Sequence, residues 1–423
     1  MSAHPVAAAS STPVVAAVVD GYSTGNFLPA ACARLGAQVV HVRSTPKWMT
    51  SMLLPDMDDY VADLVFHDEE QIVEELRSHH VSAVFAGQEP GVPLADRLSE
   101  LMGTASNGSR LSSARRDKFE MIEVLRAAGL HCADQFKSDD PRVLVDWAEW
   151  HGDYPVVVKP LSSASTDGVF ICDDADEVRR AAEHVLSARD IFDLPNREAL
   201  VQSYLDGEEY IVDTVGHDGH RFVCGVWKYE KTLVNGKNIY DKDVLLAADE
   251  PPVPELVAYV DDVLKAMNIR FGPTHTEVKM TSKGPALVEI GARLNGNMHP
   301  DFHQVCLGHN QTDLIALAYL RPDEFLERYG DRVYTRRQPA VVHNVPSTQD
   351  GVVRAIDENV VREIADLPTV FLPSVKLKPG GRIRRTVDLL SSPLRIFMTG
   401  VTQEAILDDY RRIQELKDKV YLL

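Results

Sequence analysis

The sequence lacks the features of a disulfide-bonded protein, of a cysteine- and histidine-bound metal site and of a membrane-spanning protein. Its 423 residues include five scattered cysteines, with no CxxC pair and no histidine at metal-ligand spacing. No apolar run has the length needed to cross a bilayer. The N-terminus lacks the basic and apolar segments of a signal peptide. We therefore expect reduced, mostly buried thiols in a soluble, cytoplasmic protein without a membrane partner.

Basic residues are in the minority. The chain has 44 Lys and Arg against 63 Asp and Glu, a formal net charge of −19. A nucleic-acid surface needs clustered positive charge. The short basic cluster Arg382–Arg385 follows a Pro-Gly-Gly turn, and we interpret it as a solvated strand end. The composition argues against a nucleic-acid partner, but a few local cations can still bind a small anionic ligand.

Two common nucleotide-binding motifs are also missing. There is no GxxxxGK[ST] motif and no GxGxxG after the first predicted strand. His275-Thr276-Glu277 matches the HxE of zinc deaminases, but no PCxxC follows, so we reject that class. His275 shares a strand face with Glu277; it is either a site residue or a packed histidine.

Strands alternate with helices over the first hundred residues. The apolar pattern predicts three strands and two helices there: strands Pro13–Val19, Gln38–Val42 and Val81–Ala86, a helix that ends near Gly36, and helix Glu69–His79. This alternation predicts an α/β fold whose N-terminal domain, residues 1–112, contains a doubly wound parallel sheet. Ligands of such sheets bind beyond the carboxyl ends of the strands, where Asp20–Asn26 and Gly87–Gly91 would lie.

From Pro155 the pattern changes to strands joined by hairpin turns. The predicted strands are Pro155–Lys159, Val169–Cys172, Ala199–Tyr204, Glu209–Val215 and Arg221–Lys228. They follow an amphipathic helix at Arg115–Gly129. We predict a linker helix and small central domain over residues 113–230. A C-terminal domain with a mixed sheet then covers residues 231–423 and finishes in a helix, Gln403–Lys417.

A predicted hairpin with two glutamates is the strongest chemical signal. Thr274–Met280 and Pro285–Gly291 alternate like strands around a tight turn. In a hairpin centred on Lys283, Glu277 and Glu289 face each other with Cβ atoms about 5 Å apart. Opposed carboxylates repel, so we expect a cation between them, Mg²⁺ or Mn²⁺, shared with nucleotide phosphates. The alternative is an exposed hairpin whose glutamates face water.

Two cationic residues and a small-residue loop accompany the hairpin. Lys159 ends the apolar run YPVVVKP, and a lysine in that position needs an anionic partner such as phosphate. The following loop, Leu161–Gly168, can fold its amides and hydroxyls over phosphates. Arg293, four residues after Glu289, is placed to neutralise phosphate or a developing oxyanion. The alternative for Arg293 is a structural salt bridge to one of the two glutamates.

The order of these motifs resembles that of the ATP-grasp carboxylate–amine ligases over nearly the whole chain. The resemblance implies that Lys118, in RRDKFEM, and Lys159 bind ATP, that Glu277 and Glu289 bind the metal, and that Arg293 is catalytic. The other ATP contacts implied are Ser162, Ser163, Ser165 and Gly168 of the loop, with Gln202, Tyr204, Leu205 and Glu209 of VQSYLDGEEY. Within the second group, the first three residues would contact adenine and Glu209 the ribose.

One position departs from the family pattern. Many members carry an asparagine as a third metal ligand where this chain has Gly291. Water or Asn295 is then expected to complete the metal shell.

EIGAR-x-x-G and GQEPGVPLAD resemble the L-amino-acid ligases that make dipeptides and dipeptide-like antibiotics. By that resemblance Glu89 lies near the substrate amine. We also expect His275, Asn295, Gly296 and Asn297 to line the substrate pocket. The alternative for residues 294–311 is a solvated loop with capping residues.

The implied reaction joins two small molecules. A substrate carboxylate attacks the γ-phosphate of ATP to give ADP and an acyl phosphate, and an amine displaces the phosphate. Arg293 would stabilise the oxyanion while the central domain closes as a lid against water. The family resemblance further implies a homodimer.

Two alternative functions remain open. A purine-pathway or carboxylase-type ATP-grasp enzyme would use a phosphorylated or bicarbonate substrate, but the N-terminal loops hold few basic residues for a ribose phosphate. A non-catalytic nucleotide-binding regulator should have lost Glu277, Glu289 or Arg293, and all three are present.

Overall fold

The computed structural model describes residues 13–162, 168–190, 194–234, 237–389 and 391–423. Within these ranges no helix is long and apolar enough to cross a membrane. The chain forms an N-terminal parallel sheet, a small central sheet and a large C-terminal sheet.

The N-terminal sheet confirms the predicted doubly wound start. Its elements are β1 (Val15–Val19), α1 (Leu28–Arg34), β2 (Gln38–Arg43), β3 (Ala62–Val65), α2 (Glu69–Ser78), β4 (Val81–Ala86) and α3 (Val92–Met102). The strand order is β3-β2-β1-β4, with every pair parallel. Alternate residues of β1 pack into two different cores, one containing α1 and the other α2 and α3. Helices on both faces explain why β1 reads as a continuous apolar run.

A linker helix and a small antiparallel sheet follow. The elements are α4 (Lys118–Ala127), β5 (Gln135–Ser138), α5 (Pro141–His151), β6 (Val156–Pro160), β7 (Phe170–Cys172), α6 (Ala175–Ser187) and β8 (Ala199–Ser203). The order is β5-β8-β6-β7. Helices α5 and α6 share a separate apolar core with this sheet.

The linker helix begins three residues later than predicted. The Asp117 side chain accepts hydrogen bonds from the amides of Phe119 and Glu120, so α4 starts at Lys118. The predicted first residue, Arg115, is buried and donates to Asp96 at 2.7 Å. Tertiary contacts therefore hold Arg115 outside the helix.

The C-terminal part holds the largest sheet. Its elements are β9 (Glu208–His217), β10 (His220–Val234), β11 (Lys237–Leu245), α7 (Val253–Ala266), β12 (Gly272–Thr281), β13 (Gly284–Gly291), α8 (Pro300–Leu307), α9 (Gln311–Leu320), α10 (Pro322–Tyr329), β14 (Arg332–Val333), β15 (Ala340–Val345), β16 (Gly351–Val352), β17 (Ala355–Ile356), α11 (Glu358–Ala365), β18 (Val370–Val375), β19 (Arg382–Ile383), β20 (Leu394–Thr399), α12 (Gln403–Leu416) and β21 (Tyr421–Leu422). Within the large sheet the strand order is β13-β12-β9-β10-β11-β15-β20-β18, and β14 pairs with β10.

This topology corrects the predicted domain boundary at residue 230. The boundary falls inside β10, and both β9 and β10 belong to the large sheet. Period-2 alternation identifies a strand but not its partner. Strand β9 pairs with β12, which lies a helix and two strands further along the chain. The small central sheet consequently ends at Ser203.

Candidate active site

Glu277 and Glu289 face each other across the β12–β13 hairpin, as predicted. The hairpin is not centred on Lys283, because its turn contains two residues. That register would place Glu277 opposite Val288. A bulge in β13 shifts the pairing by one residue and brings Glu277 opposite Glu289. Because a one-residue slip reverses the faces of a strand, the bulge decides that both carboxylates lie on one face.

Each of these carboxylates has a partner from another element. Lys118, at the start of α4, donates from Nζ to Oε1 of Glu289 at 2.8 Å. On the other carboxylate, the hydroxyl of Tyr229 donates to Oε1 of Glu277 at 3.3 Å. The backbone amide of Lys118 donates to the carbonyl of Leu161, which ties α4 to the loop after β6. Three chain segments therefore meet at the hairpin.

His275 connects Glu277 to a buried aspartate. Its Nδ1 lies 2.8 Å from Oδ1 of Asp213, and its Nε2 lies 3.5 Å from Oε1 of Glu277. Burial alone lowers the pKa of His275, but the two carboxylates outweigh burial and raise it to about 9. Burial raises the pKa of Glu277, but His275, Arg293 and Lys118 together outweigh burial, so the pKa is lowered. Glu277 is thus ionised at neutral pH, as a metal ligand must be.

Arg293 and Glu89 form an ion pair between the large sheet and the N-terminal sheet. Glu89 follows β4 in the short helical turn Glu89–Gly91, at the sheet edge where ligands of doubly wound sheets bind. The Nε of Arg293 donates to Oε2 of Glu89 at 3.0 Å, and Nη1 donates to the carbonyl of Leu294 at 3.0 Å. The remaining nitrogen, Nη2, has no hydrogen bond to a described residue. The predicted alternative, a salt bridge to Glu277 or Glu289, is not what Arg293 forms.

Gly291 makes room for this ion pair. A Cβ atom at Gly291 would lie 3.0 Å from Oε2 of Glu89 and 3.2 Å from Nε of Arg293. A larger side chain would have to displace one of them. An asparagine at this position would therefore crowd the ion pair as it stands here.

The two glutamates suit a divalent cation that is shared with phosphate oxygens. No group of three or more His, Cys, Asp or Glu in the described part of the chain could hold a metal ion alone. Mg²⁺ is commonly held by one or two carboxylates together with substrate phosphates and water. Asn295 has partners of its own, because its Nδ2 donates to Asp213 and its Oδ1 accepts from the amide of Asn297; its place in the metal shell stays a prediction. Glu277 and Glu289 fit a cation that arrives with a nucleotide.

Lys159, the residue before the last of β6, is a buried cation. It is 6% exposed, and its ammonium makes no hydrogen bond or ion pair with a described residue. Burial and the positive charge of Lys118 lower the pKa of Lys159 to about 8, although the carboxylates of Glu289, Glu277 and Glu209 act in the opposite direction. A buried ammonium close to the β12–β13 hairpin suits a polyphosphate.

The loop after Lys159 is only partly described. Ser162 is half-buried, and Gly168 adopts a φ of +68°, where a Cβ would meet Cδ of Pro160 at 3.1 Å. Ser163 and Ser165 lie outside the described residues. Phosphate binding by this loop stays a prediction.

The residues predicted to contact adenine lie between the central sheet and the hairpin. Gln202 on β8 is buried and donates to Oε1 of Gln135 at 2.8 Å. The carbonyl of Leu205 accepts from Nζ of Lys279 at 2.8 Å, and this ammonium lies 4.6 Å from the ring centroid of Tyr204. Lys279 was not singled out from the sequence, although it follows Glu277 by two residues and so shares its strand face.

Glu209, predicted to hold the ribose, is buried near the start of β9. Its Oε2 accepts from Lys231 at 2.9 Å and its Oε1 from the hydroxyl of Tyr240 at 2.8 Å. Sequence reasoning missed both partners, which lie on β10 and β11. Contact between Glu209 and a ribose stays a prediction.

The predicted substrate loop lies against the large sheet. Nδ2 of Asn297 donates to Oδ2 of Asp243 at 2.9 Å, and burial raises the pKa of Asp243 to about 6. A Cβ atom added to Gly296 would have no heavy atom of the described residues within 4 Å, apart from its own chain neighbours. Sequence reasoning missed Asp213 and Asp243. The available signal was an acidic residue inside an otherwise buried strand pattern, in EEYIVDTVGH and KNIYDKDVL.

Comparison with known proteins relates the chain to enzymes of similar length. A family model described as an ATP-grasp domain matches residues 152–301. Dapdiamide A synthase from Enterobacter agglomerans is 34% identical over 387 residues, 90% of each chain. The L-arginine-specific L-amino acid ligase from Bacillus subtilis is 24% identical over 202 residues, 47% of this chain and 48% of that protein.

A solved structure shares the whole fold. The crystal structure of an L-amino acid ligase from Bacillus licheniformis has a TM-score of 0.75 and 18% sequence identity, and the match covers 96% of this chain and 98% of that one.

Proposed function

Because this chain belongs to the ATP-grasp ligases, we propose that it activates a carboxylate with ATP and captures it with an amine. A relative that spans 90% of the chain is a dapdiamide synthase, and a more distant relative is an L-amino-acid ligase. The chain is accordingly an ADP-forming acid–amine ligase that makes an amide bond between amino-acid derivatives. The finer proposal is that the carboxylate reacts as an acyl phosphate.

The convergence of charged groups on the β12–β13 hairpin carries the proposal. Glu277 and Glu289 are opposed in register, and Lys118 contacts Glu289 from the linker helix. Glu89 brings the edge of the N-terminal sheet to Arg293, four residues after the second glutamate. A phosphoryl transfer with a carboxylate acceptor needs cations around the phosphates and a cation at the acyl oxygen.

The positions of the two lysines support a role for each in ATP binding. Lys159 would contact the phosphates, because its buried ammonium has three carboxylates nearby and no hydrogen-bonded partner in the described residues. Lys118 would share its charge between Glu289 and a phosphate oxygen. Glu277 and Glu289 would hold Mg²⁺, which would supply neutralising charge to the phosphates. The small central sheet carries Lys159, so closure of that sheet over the hairpin would exclude water from a hydrolysable acyl phosphate.

Arg293 and Glu89 would act on the acyl group and the incoming amine. Nη2 of Arg293 has no hydrogen bond within the described residues and is available to an oxyanion. Glu89 uses only Oε2 for Arg293, which leaves Oε1 to accept from a substrate ammonium. We propose that Glu89 orients the amine and Arg293 stabilises the tetrahedral oxyanion.

Phosphate release tests this function. The protein, Mg²⁺ and ATP are incubated with pools of L-amino acids, and the nucleotide product is identified by chromatography. We expect amino-acid-dependent phosphate with ADP as co-product, an absolute need for the metal, and at least a 100-fold loss in Arg293→Ala. Arg411→Ala, on the exposed face of α12, is the matched control. AMP and pyrophosphate, or full activity in Arg293→Ala, would overturn the proposed mechanism.

A further inference from the structure

A second group of cations lies on the large sheet beyond Asp243. Asp243 on β11 is paired in register with Val342 on β15, and Asn344 on β15 is paired with Arg395 on β20. Paired residues share a sheet face, and so do residues two apart on one strand. Asp243, Asn344 and Arg395 therefore lie on one face, in three successive strands.

Hydrogen bonds join this row to the predicted substrate loop. Nε of Arg395 donates to Oδ1 of Asn344 at 3.1 Å, and Nδ2 of Asn344 lies 3.4 Å from Oδ1 of Asp243. The other carboxylate oxygen of Asp243 accepts from Asn297 at 2.9 Å. The same face extends to the β12–β13 hairpin. Tyr229 is paired in register with Asp243, and the hydroxyl of Tyr229 contacts Glu277.

Arg395 has unused hydrogen-bond donors. Its two terminal nitrogens make no hydrogen bond to a described residue, and Arg395 forms no ion pair with any described residue. Burial lowers the pKa of Arg395, while Asp243 and Tyr229 act to raise it. A guanidinium stays charged in proteins, so Arg395 presents a half-buried positive charge that no carboxylate of the described residues contacts.

Lys376 adds a titratable amine near Arg395. Ser374 on β18 is paired with Arg395, and Lys376 comes directly after the end of β18. Its amide donates to the carbonyl of Pro393 at 3.0 Å, which continues the pairing and puts Lys376 on the same face as Ser374. Its ammonium has no hydrogen bond or ion pair with a described residue. The surrounding protein and the charge of Arg395 lower the pKa of Lys376 to about 7, whereas Asp388 and Asp243 raise it. Arg395 and the partly protonated Lys376 have no direct carboxylate partner among the described residues, in a chain of net charge −19, and this arrangement indicates an anionic ligand.

The proposed reaction supplies a ligand of that kind. If the amine substrate is an amino acid, its own carboxylate must be kept away from the ATP phosphates, because it would otherwise compete for phosphorylation. The charged groups of the hairpin, together with Arg293, would contact the carboxylate that is activated. A guanidinium on the same sheet face, outside that cluster, matches the planar fork of a second carboxylate.

We propose that Arg395, with Lys376 beside it, binds the free carboxylate of an amino acid that serves as the amine substrate. This inference rests on the proposed function. It assigns the amine side of the pocket to the face formed by β11, β15, β20 and β18. The carboxylate bound there is the one that the product keeps.

Paired amines test the proposal in the full-length enzyme. Proteinogenic L-amino acids are compared as amines with their own α-carboxamides in the phosphate-release assay, at saturating ATP, Mg²⁺ and acid substrate. For the wild type we expect the KM of the amide to exceed that of the amino acid by about 10- to 100-fold, the range for a charge-assisted contact. Arg395→Met should raise the KM of the amino acid by a similar factor and leave kcat and the KM of the amide nearly unchanged.

Three further variants separate recognition from folding. Arg395→Lys should recover part of the preference, and Lys376→Met, at an exposed position, should reduce it by a smaller factor. Arg411→Met, on α12, is the control and should match the wild type. The proposal is overturned if the wild type uses amides as well as acids, or if Arg395→Met weakens both amines equally or only the acid substrate. A wild type without amino-acid-dependent phosphate release would overturn the proposed function as well.

Discussion

Replacing Lys159 by methionine should make the ligand-free protein more stable and inactive. The pKa of Lys159 falls from 10.5 to about 8 on burial beside Lys118. Each pH unit of difference corresponds to about 1.4 kcal/mol. At pH 7 the protonated side chain therefore costs the fold about 3 kcal/mol relative to the unfolded chain. Lys159→Met removes this cost, and we expect the free energy of unfolding to rise by about 1–3 kcal/mol.

The pH dependence has a defined sign. The unfolded chain binds the lysine proton more tightly, so the cost is fully present below about pH 8 and disappears as pH rises towards 10.5. The stability gain of Lys159→Met should therefore shrink across that window. Urea unfolding of the protein without ATP or metal, at pH 7 and at pH 9.5, measures the effect.

A second lysine of the same sheet supplies the control. Lys137 on β5 is partly exposed and pairs with Glu198 at 2.9 Å, so Lys137→Met should lose at most about 1 kcal/mol. A Lys159→Met protein that is less stable than the wild type at pH 7 would refute the reasoning. So would a gain that persists unchanged at pH 9.5.

Two further changes test the contacts around the hairpin. Gly291→Ala pushes a Cβ against the Glu89–Arg293 ion pair, so kcat/KM should fall about 10-fold or more while the melting temperature stays within a few degrees; unchanged kinetics would contradict the steric account. Asp213→Asn leaves a buried imidazolium without its carboxylate and should lose about 3 kcal/mol of unfolding free energy at pH 7 in metal-free urea titrations. That loss should shrink as pH rises through about 9, where the imidazole gives up its proton. The control is Asp331→Asn, which breaks an exposed His–Asp pair and should lose about 0.5 kcal/mol or less of unfolding free energy. Equal losses in the two variants would contradict the prediction.

The sequence predicted the elements that depend on local pattern. A continuous apolar run identified β1 because both of its faces are buried. Alternation identified β12 and β13, and the spacing of Glu277 and Glu289 predicted that they would be opposed. The order of the motifs was sufficient for the family resemblance, because the residues that bind ligands occupy fixed positions relative to strands and turns.

Tertiary structure decided the contacts that join distant segments. The opposition of Glu277 and Glu289 depends on a bulge in β13 that alternation does not show, because one extra residue leaves the apolar pattern almost unchanged. The partner of Arg293 is Glu89, 204 residues earlier in the chain. The order of the large sheet placed β9 beside β12 and corrected the domain boundary. It also aligned Asp243, Asn344 and Arg395. Strand periodicity specifies which face a residue occupies, but pairing between strands is set by packing and hydrogen bonding of the whole sheet.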